Sequence, residues 1–475
     1  MTLEGAMAVV YLVSVALFAI GLKRLSRVRT SRSGNGLAAS GMLLAVVGTL
    51  VEQGAVDLRW VPVGLGIGAA VGVLIVFRAK ATQMPEIVAR FNGFGGAASA
   101  LVALALFWRQ VVDVGVAETP AALLGAASAL TLLISVLVGS ATFSGSIIAE
   151  LKLRGTISGM PRLPAHAVVM AVVALAGLGL GGSGLFAAAD PVLSAGLVLG
   201  LLAASLVIGL LLVLPIGGAD MPVVISLLNS LSGVAAAATG FALENNLLII
   251  AGTIVGAAGL ILTQIMCRAM NRSLLNVLAG GFGAVVAGAA GDQEYTNVVS
   301  ADAEEAAMVL EAASSVIMIP GYGLAAARAQ HAAYELAQAL EARGATVRFA
   351  IHPVAGRMPG HMNVVLAEAD VPYEQLFEMD EINRDFKNTD VAIVVGANDV
   401  VNPAANEQPS SPIAGMPILN VEEAGRVFVI KRSLSPGYAG IKNDLFERDN
   451  TVMLFGDAKD ILQELASELQ PAGVR

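Results

Sequence analysis

Residues 314–357 read SSVIMIPGYGLAAARAQHAAYELAQALEARGATVRFAIHPVAGR. A short apolar strand runs into a G-x-G-x-x-A turn at Gly321, Gly323 and Ala326, and a helical pattern follows to about Ala342. A second strand, TVRFAIH, comes next. Strand, glycine turn, helix and strand make a βαβ unit, with the glycines where a phosphate must approach a helix N-terminus. A glycine motif alone is a weak signal, but this one has the required elements on both sides. Further strands in DVAIVVGANDVVNPAA (390–405), RVFVIKRSLSPGYAG (426–440) and TVMLFGDAK (451–459) predict a mostly parallel, doubly wound sheet.

Almost everything before this stretch has another solvent. The chain has 475 residues, 56% of them hydrophobic, 52 Gly and only 14% charged residues, with a mean hydropathy of +0.75. Such values belong to integral membrane proteins. The bias sits in residues 1–270, whereas 290–475 have soluble composition. The expected fold class is therefore a polytopic α-helical membrane domain of about nine spans followed by an α/β Rossmann-like doubly wound domain. The expected organisation is 1–270 transmembrane, 271–295 linker and 296–475 nucleotide-binding. A net charge of −9 argues against nucleic acid as a partner. The lone Cys267 excludes an internal disulfide.

A crossing helix needs about 20 apolar residues. Candidates lie near 6–22, 37–54, 60–77, 85–107, 121–140, 165–187, 193–214, 222–243 and 247–267. The first follows Glu4 and no basic residue and precedes KRLSRVRTSR, the pattern of a retained span with its N-terminus outside. One set of alternate loops holds Lys23, Arg24, Arg27, Arg29, Arg32, Arg78, Lys80, Lys152, Arg154, Arg162, Arg268 and Arg272. The other holds Arg59 and Arg109 among acidic residues. The basic set is cytoplasmic by charge bias, and an odd number of spans puts the C-terminal domain on that side too.

Polar residues at membrane depth are costly and mark candidate pathways. Asn92, Ser144, Ser146, Asp220 and Asn229 qualify, against the plainer reading of single interhelical hydrogen bonds. Glu86 and Arg90, spaced i,i+4, are expected to pair. None of His166, His331, His352 and His361 lies deep in a span, so any proton path here lacks an imidazole of its own, and a partner chain or Asp220 would have to supply the titratable group.

In the soluble domain, the acidic residue that would bind the ribose 2′-hydroxyl of NAD is missing after TVRFAIH, and Arg357 stands nearby. Lys431, Arg432 and Ser433 present two cations and a hydroxyl, a set suited to the 2′-phosphate of NADP. Asp399 suits either a nicotinamide contact, a part in proton linkage or Asx capping of a turn. No metal-spaced cluster, Cys–His pair or Ser–His–Asp order stands out. A domain that binds NADP without acid–base machinery can still exchange hydride, because the cofactor carries that chemistry.

The blocks GGADMPVVISLLNSLSG, IPGYGLAAARAQ, HPVAGRMPGHMNVVLAEADVPYE, GANDVVNPAA, IAGMPILNVEEAGRVFVIKRSLSPGYAG and GDAK resemble the beta subunit of bacterial proton-translocating nicotinamide nucleotide transhydrogenase over nearly the whole chain. The resemblance implies NADP(H) on this chain and NAD(H) on an alpha partner that carries the remaining spans, in a dimer of alpha–beta units in the bacterial inner membrane. It implies cofactor contacts from Tyr322, from Val354, Ala355, Gly356, Arg357, Met358 and Pro359, from Gly396, Ala397, Asn398, Asp399 and Val400, and from Gly415 and Met416. The 2′-phosphate would meet Lys431, Arg432 and Ser433. Leu434, Ser435 and Pro436 would also contact the cofactor, Gly437 and Tyr438 would close a lid, and Asp457 and Ala458 would lie nearby. Asn92, Ser146 and Asn229 would belong to the proton path and Asp220 to its coupling. Some members carry His at the position of Asn92, and here the partner would supply it. Hydride would pass between the cofactors with no catalytic side chain, while a proton moves from periplasm to cytoplasm. The rival is an ion-coupled secondary transporter with a nucleotide-sensing cytoplasmic domain. The phosphate-binding cluster and the lack of inverted repeats speak against it.

Overall fold

The computed structural model describes residues 3–25, 30–52, 60–80, 83–157, 164–278, 295–437 and 439–469. Among these, nine helices are long and apolar enough to cross a membrane. They are α1 (Leu3–Leu25), α2 (Ser31–Glu52), α3 (Trp60–Arg78), α4 (Met84–Phe107), α6 (Ala126–Leu153), α7 (His166–Phe186), α8 (Pro191–Val213), α9 (Met221–Ala242) and α10 (Asn246–Ala269). A five-residue helix, α5 (Pro120–Leu124), precedes α6. The chain divides into two compact units, Met1–Pro215 with Ile225–Leu262, and Ile216–Val224 with Thr263–Arg475. Of the expected linker, 279–294 lie outside the described residues, and Leu274–Leu278 form a short helix.

The fifth span differs most from its expected range of 121–140. Gly125 takes φ +83°, which ends α5 and starts α6 afresh, and α6 then runs to Leu153. At 1.5 Å per residue it is about 42 Å long, well beyond the hydrocarbon core. Ser144 and Ser146 therefore lie inside a helix rather than past the end of one.

Small residues set how closely the helices pack. A Cβ on Gly96 of α4 would lie 2.6 Å from the Gly139 carbonyl of α6, and one on Gly233 of α9 would collide with the Gly256 nitrogen of α10. Backbones meet there because lipid supplies no hydrophobic force between helices and dispersion must do the work. Serines close the remaining gaps. Ser144 donates to Leu206 O at 2.7 Å, Ser194 to Gly184 O at 2.7 Å, and Ser230 to Gly256 O at 2.6 Å. The plain interhelical role thus accounts for Ser144.

The second unit holds a six-stranded sheet of order β3-β2-β1-β4-β5-β6, with every pairing parallel. The strands are β1 (Ser315–Pro320), β2 (Thr346–Ile351), β3 (Leu376–Glu378), β4 (Val391–Val395), β5 (Arg426–Lys431) and β6 (Thr451–Phe455). Side-chain alternation along β1 sends Val316 and Met318 into one core and Ile317 and Ile319 into the other. Both faces are covered, as an all-parallel sheet requires. The strand order reverses between β1 and β4, the switch point where doubly wound sheets bind ligands. The helix expected to run unbroken to Ala342 is split. Tyr322–Ala327 ends at Arg328 in the left-handed region (φ +52°), and Gln330–Ala342 begins anew.

The α4–α6 contact yields a clear expectation. Gly139→Val should cost about 1–3 kcal/mol through overpacking, whereas Gly95→Ala, whose Cβ would meet open space, should be silent. Thermal unfolding in detergent micelles distinguishes them.

Candidate functional site

The carboxyl ends of β1, β2, β4, β5 and β6 surround a cleft of about 610 Å³. Its floor is the switch point. A Cβ on Gly321 would collide with the Gly396 carbonyl oxygen, and one on Gly323 would lie 2.6 Å from the Gly396 Cα. Gly396 itself takes φ +66°, so side chains are excluded by both space and conformation. The Gly323 N–H donates to Gly396 O at 2.9 Å. The cleft is lined by Gly321, Tyr322, Gly323, Ala326, Val354–Gly356, Gly396–Val400, Lys431–Ser433, Ser435–Gly437, Asp457 and Ala458. Each of these is among the residues singled out in the sequence. Ala327, Ile430 and Gly456 also line it and are not, since each adds only backbone or a small apolar surface. Arg357, Met358, Pro359, Leu434, Gly415 and Met416 are not among the lining residues, and Tyr438 lies outside the described residues.

The loop after β2 is fastened by two buried histidines. Val354 N–H donates to His352 Nδ1 at 3.2 Å, so the ring proton sits on Nε2, which donates to Pro417 O at 2.8 Å. Arg357 N–H donates to His361 Nδ1 at 3.0 Å. The His361 ring lies where a Gly356 side chain would be, and Gly356 takes φ +102°. Burial pushes His352 down to about 4, against the Pro417 carbonyl and Asp380, which raise it. Burial, helped by the Arg357 charge, also pushes His361 down to about 4. The Arg357 guanidinium stands 4.1 Å from the Tyr322 ring centroid, a cation–π contact that turns this loop toward the cleft-lining tyrosine.

At the end of β5 the basic cluster splits into two roles. Lys431 donates to Ser435 O and lies 5.6 Å from the Phe446 ring centroid. Burial lowers its pKa while Asp399 raises it. Arg432 and Ser433 are exposed, and Ser433 Oγ and Ser435 Oγ are 2.9 Å apart. Asp399 accepts from Ala439 N–H at 3.0 Å and leaves no room for a side chain on Gly437. Asp457 accepts from Lys459 N–H at 3.0 Å and caps the last helix, Ala458–Glu468. Sequence reading missed Asn443. It is fully buried, and its side-chain amide donates to Asn398 Oδ1 at 2.9 Å and to Asn398 O at 3.1 Å. Together these bonds tie the 433–443 segment to the loop after β4. In this cleft a dinucleotide would meet close-packed backbone at its floor and cations at the β5 edge, and no carboxylate ends β2. The donor set suits a phosphomonoester.

Among the membrane helices, Asn92 Nδ2 donates to Ser146 Oγ at 2.9 Å, and Ser232 Oγ donates to Asn92 Oδ1 at 2.8 Å. Ser232 had no signal in the sequence beyond being one serine among many. Asn229 is exposed on α9, outside the hydrogen bonds of this cluster. In the second unit, Asp220 is fully buried and pairs with Arg272 at 3.3 Å. The expected Glu86–Arg90 pair does not form as such. Arg90 instead pairs with Glu150 across α4 and α6, and Glu86 with Arg154 at 3.3 Å. Glu150 also takes Arg154, its own i,i+4 neighbour, at 2.7 Å, so the four charges form one network across the two helices.

The histidines make stability depend on pH. Each is neutral in the fold down to about pH 4, while an unfolded histidine takes up a proton near 6.5. Their contribution is full above pH 6.5 and lost as pH falls toward 4, about 3 kcal/mol for each. Urea unfolding of the solubilised chain should show this fall, and His352→Gln, which does not titrate, should flatten part of it.

A model of the family described as "NAD(P) transhydrogenase beta subunit" matches residues 7–468. NAD(P) transhydrogenase subunit beta of Rhodospirillum rubrum is 47% identical over 466 residues, covering 97% of this chain and 98% of that protein. The sequence from strain ATCC 11170 of the same species gives the same figures. By both measures, the chain belongs to the NAD(P) transhydrogenase beta subunit family.

Proposed function

We propose that this chain binds NADP(H) at the carboxyl edge of its sheet and exchanges hydride with NAD(H) held by an alpha partner subunit, coupled to proton movement across the membrane. The observation that carries the reading is the cleft itself. Glycine backbones form its floor, Arg432 and Ser433 stand exposed at one end, and β2 is followed by His352 rather than an acid. When bound, the nicotinamide supplies hydride donation and acceptance. The residues of this chain bind, orient and exclude water. Tyr322 and the Val354–Gly356 loop would flank the dinucleotide, Arg432 and Ser433 would meet the 2′-phosphate, and Lys431 would hold the covering loop through Ser435.

Proton passage is assigned to the Asn92–Ser146–Ser232 cluster, with Asn229, exposed on α9, available to a partner helix. Asp220, locked to Arg272, is assigned to coupling: its ion pair offers two states, made or broken, that proton occupancy and nucleotide occupancy can both bias. The loops rich in Lys and Arg support a cytoplasmic C-terminal domain and a periplasmic N-terminus, in the inner membrane of a bacterium. A dimer of alpha–beta units is proposed from the family alone. Residues 1–270, 271–295 and 296–475 are proposed as membrane domain, linker and NADP domain.

NADPH and NADH titrations of the purified chain, followed by nucleotide fluorescence, test the assignment. Arg432→Ala removes a charge-assisted bond of about 1.5–3 kcal/mol, so NADPH affinity should fall roughly 10- to 100-fold with NADH unchanged. Equal affinities in the wild type would sink the reading. In proteoliposomes, Asn92→Leu removes both hydrogen bonds of the cluster and should slow proton-coupled turnover roughly tenfold, the change for a barrier raised by about 1.4 kcal/mol. Its nucleotide affinity should not change.

A further inference from the structure

One ion network between α4 and α6 is unexplained by the function above. Arg90 lies about 9 Å along α4 from Met84. Its Nε donates to both oxygens of Glu150, at 2.9 and 3.0 Å, and its Nη2 reaches the same carboxylate. Glu150 is buried on α6 and also takes Arg154 at 2.7 Å. Arg154 in turn holds Glu86 of α4. Lys152, the other charge on this stretch of α6, donates to Leu214 O at 2.5 Å. Neither α8 nor α9 carries a Lys, Arg, Asp, Glu or His. Two cations and two carboxylates therefore balance in one network that nothing else in those helices offsets.

Its position matters. Glu150 and Ser146 are four residues apart on α6, hence on one face and about 6 Å apart along the axis. The ion pair thus lies one helical turn from the Asn92–Ser146 hydrogen bond, toward the end of α4 where Arg78 and Lys80 precede it. A lone guanidinium at that level would extend its side chain toward the aqueous interface. The bidentate Glu150 carboxylate, itself anchored by Arg154, keeps Arg90 in place.

We propose that the Arg90–Glu150 pair is an electrostatic gate that closes one end of the Asn92–Ser146–Ser232 cluster to uncoupled protons. A fixed guanidinium beside a narrow polar route raises the barrier to a proton, as arginines do in pores that must exclude cations. The carboxylate is the latch that holds it in place. This inference rests on the proposed proton path through Asn92 and Ser146.

The test uses the complex with its partner subunit in proteoliposomes. Passive proton entry under a valinomycin-imposed potassium potential is read with an internal pH dye, and NADPH affinity is measured alongside to show that each variant is folded. Arg90→Leu and Glu150→Gln should each raise proton entry about tenfold, the change for a barrier lowered by about 1.4 kcal/mol. Arg90→Lys should stay near the wild type, and the exchanged pair Arg90→Glu with Glu150→Arg should restore most of the seal. If Arg90→Leu fails to assemble, Glu150→Gln tests the same gate with nearly unchanged shape. Folded variants as tight as the wild type would overturn the gate and leave the proton path standing. A wild-type complex that exchanges hydride without moving protons would instead overturn the path.

Discussion

At the switch point of the sheet, the backbones of Gly321, Gly323 and Gly396 touch. With any side chain there, β1 and β4 could not deliver their loops to a common crevice. From that contact the rest of the cleft follows in order. The loop after β4 brings Asn398 and Asp399 beside it, and Asp399 receives the Ala439 N–H. Asn443 then ties the segment after β5 back to Asn398. His352, fixed in one tautomer by Val354 and Pro417, holds the loop after β2. The cleft is therefore prepared by backbone packing and a few hydrogen-bonded polar groups, and its cationic side chains sit at the edge.

The same constraint operates in the membrane helices with a different result. Backbone contact at Gly96 and Gly139 draws α4 onto α6, and Gly93 lets the Ser146 side chain come close, since a Cβ there would be 3.1 Å from Ser146 Cβ. Only then is Asn92 within reach of Ser146 and Ser232. Small residues are thus what place polar groups together at a depth where water cannot mediate between them. The ion network of Arg90, Glu150, Arg154 and Glu86 lies one turn further along the same helix pair.

The groups proposed for coupling and for gating share an architecture of paired alternatives. Asp220 with Arg272 and Glu150 with Arg90 are buried carboxylates whose charge is tolerable only while an arginine answers it. Glu150 is answered twice, by Arg90 and by Arg154, so loss of Arg90 leaves it one partner while loss of Glu150 leaves Arg90 without its carboxylate.

Much of this was readable from consecutive residues. The nine spans follow from apolar length. Five strands of a mostly parallel sheet follow from apolar runs with glycine turns between them, their order does not, and β3 was missed because three residues carry no pattern. Gly321, Gly323, Lys431 and Arg432 announced the cleft through local spacing. Local spacing failed where a nearer partner competed with a remote one. Arg90 has Glu86 at i,i+4 yet pairs with Glu150, sixty residues away. The helix from Tyr322 breaks at Arg328 although its pattern runs on, and Lys431 turns from the ligand side to a carbonyl of its own loop. Solvent class, element type and the glycine-lined crevice come from properties that adjoining residues share. The partner of each charge depends on which helices and loops pack together, so only the tertiary structure could decide it.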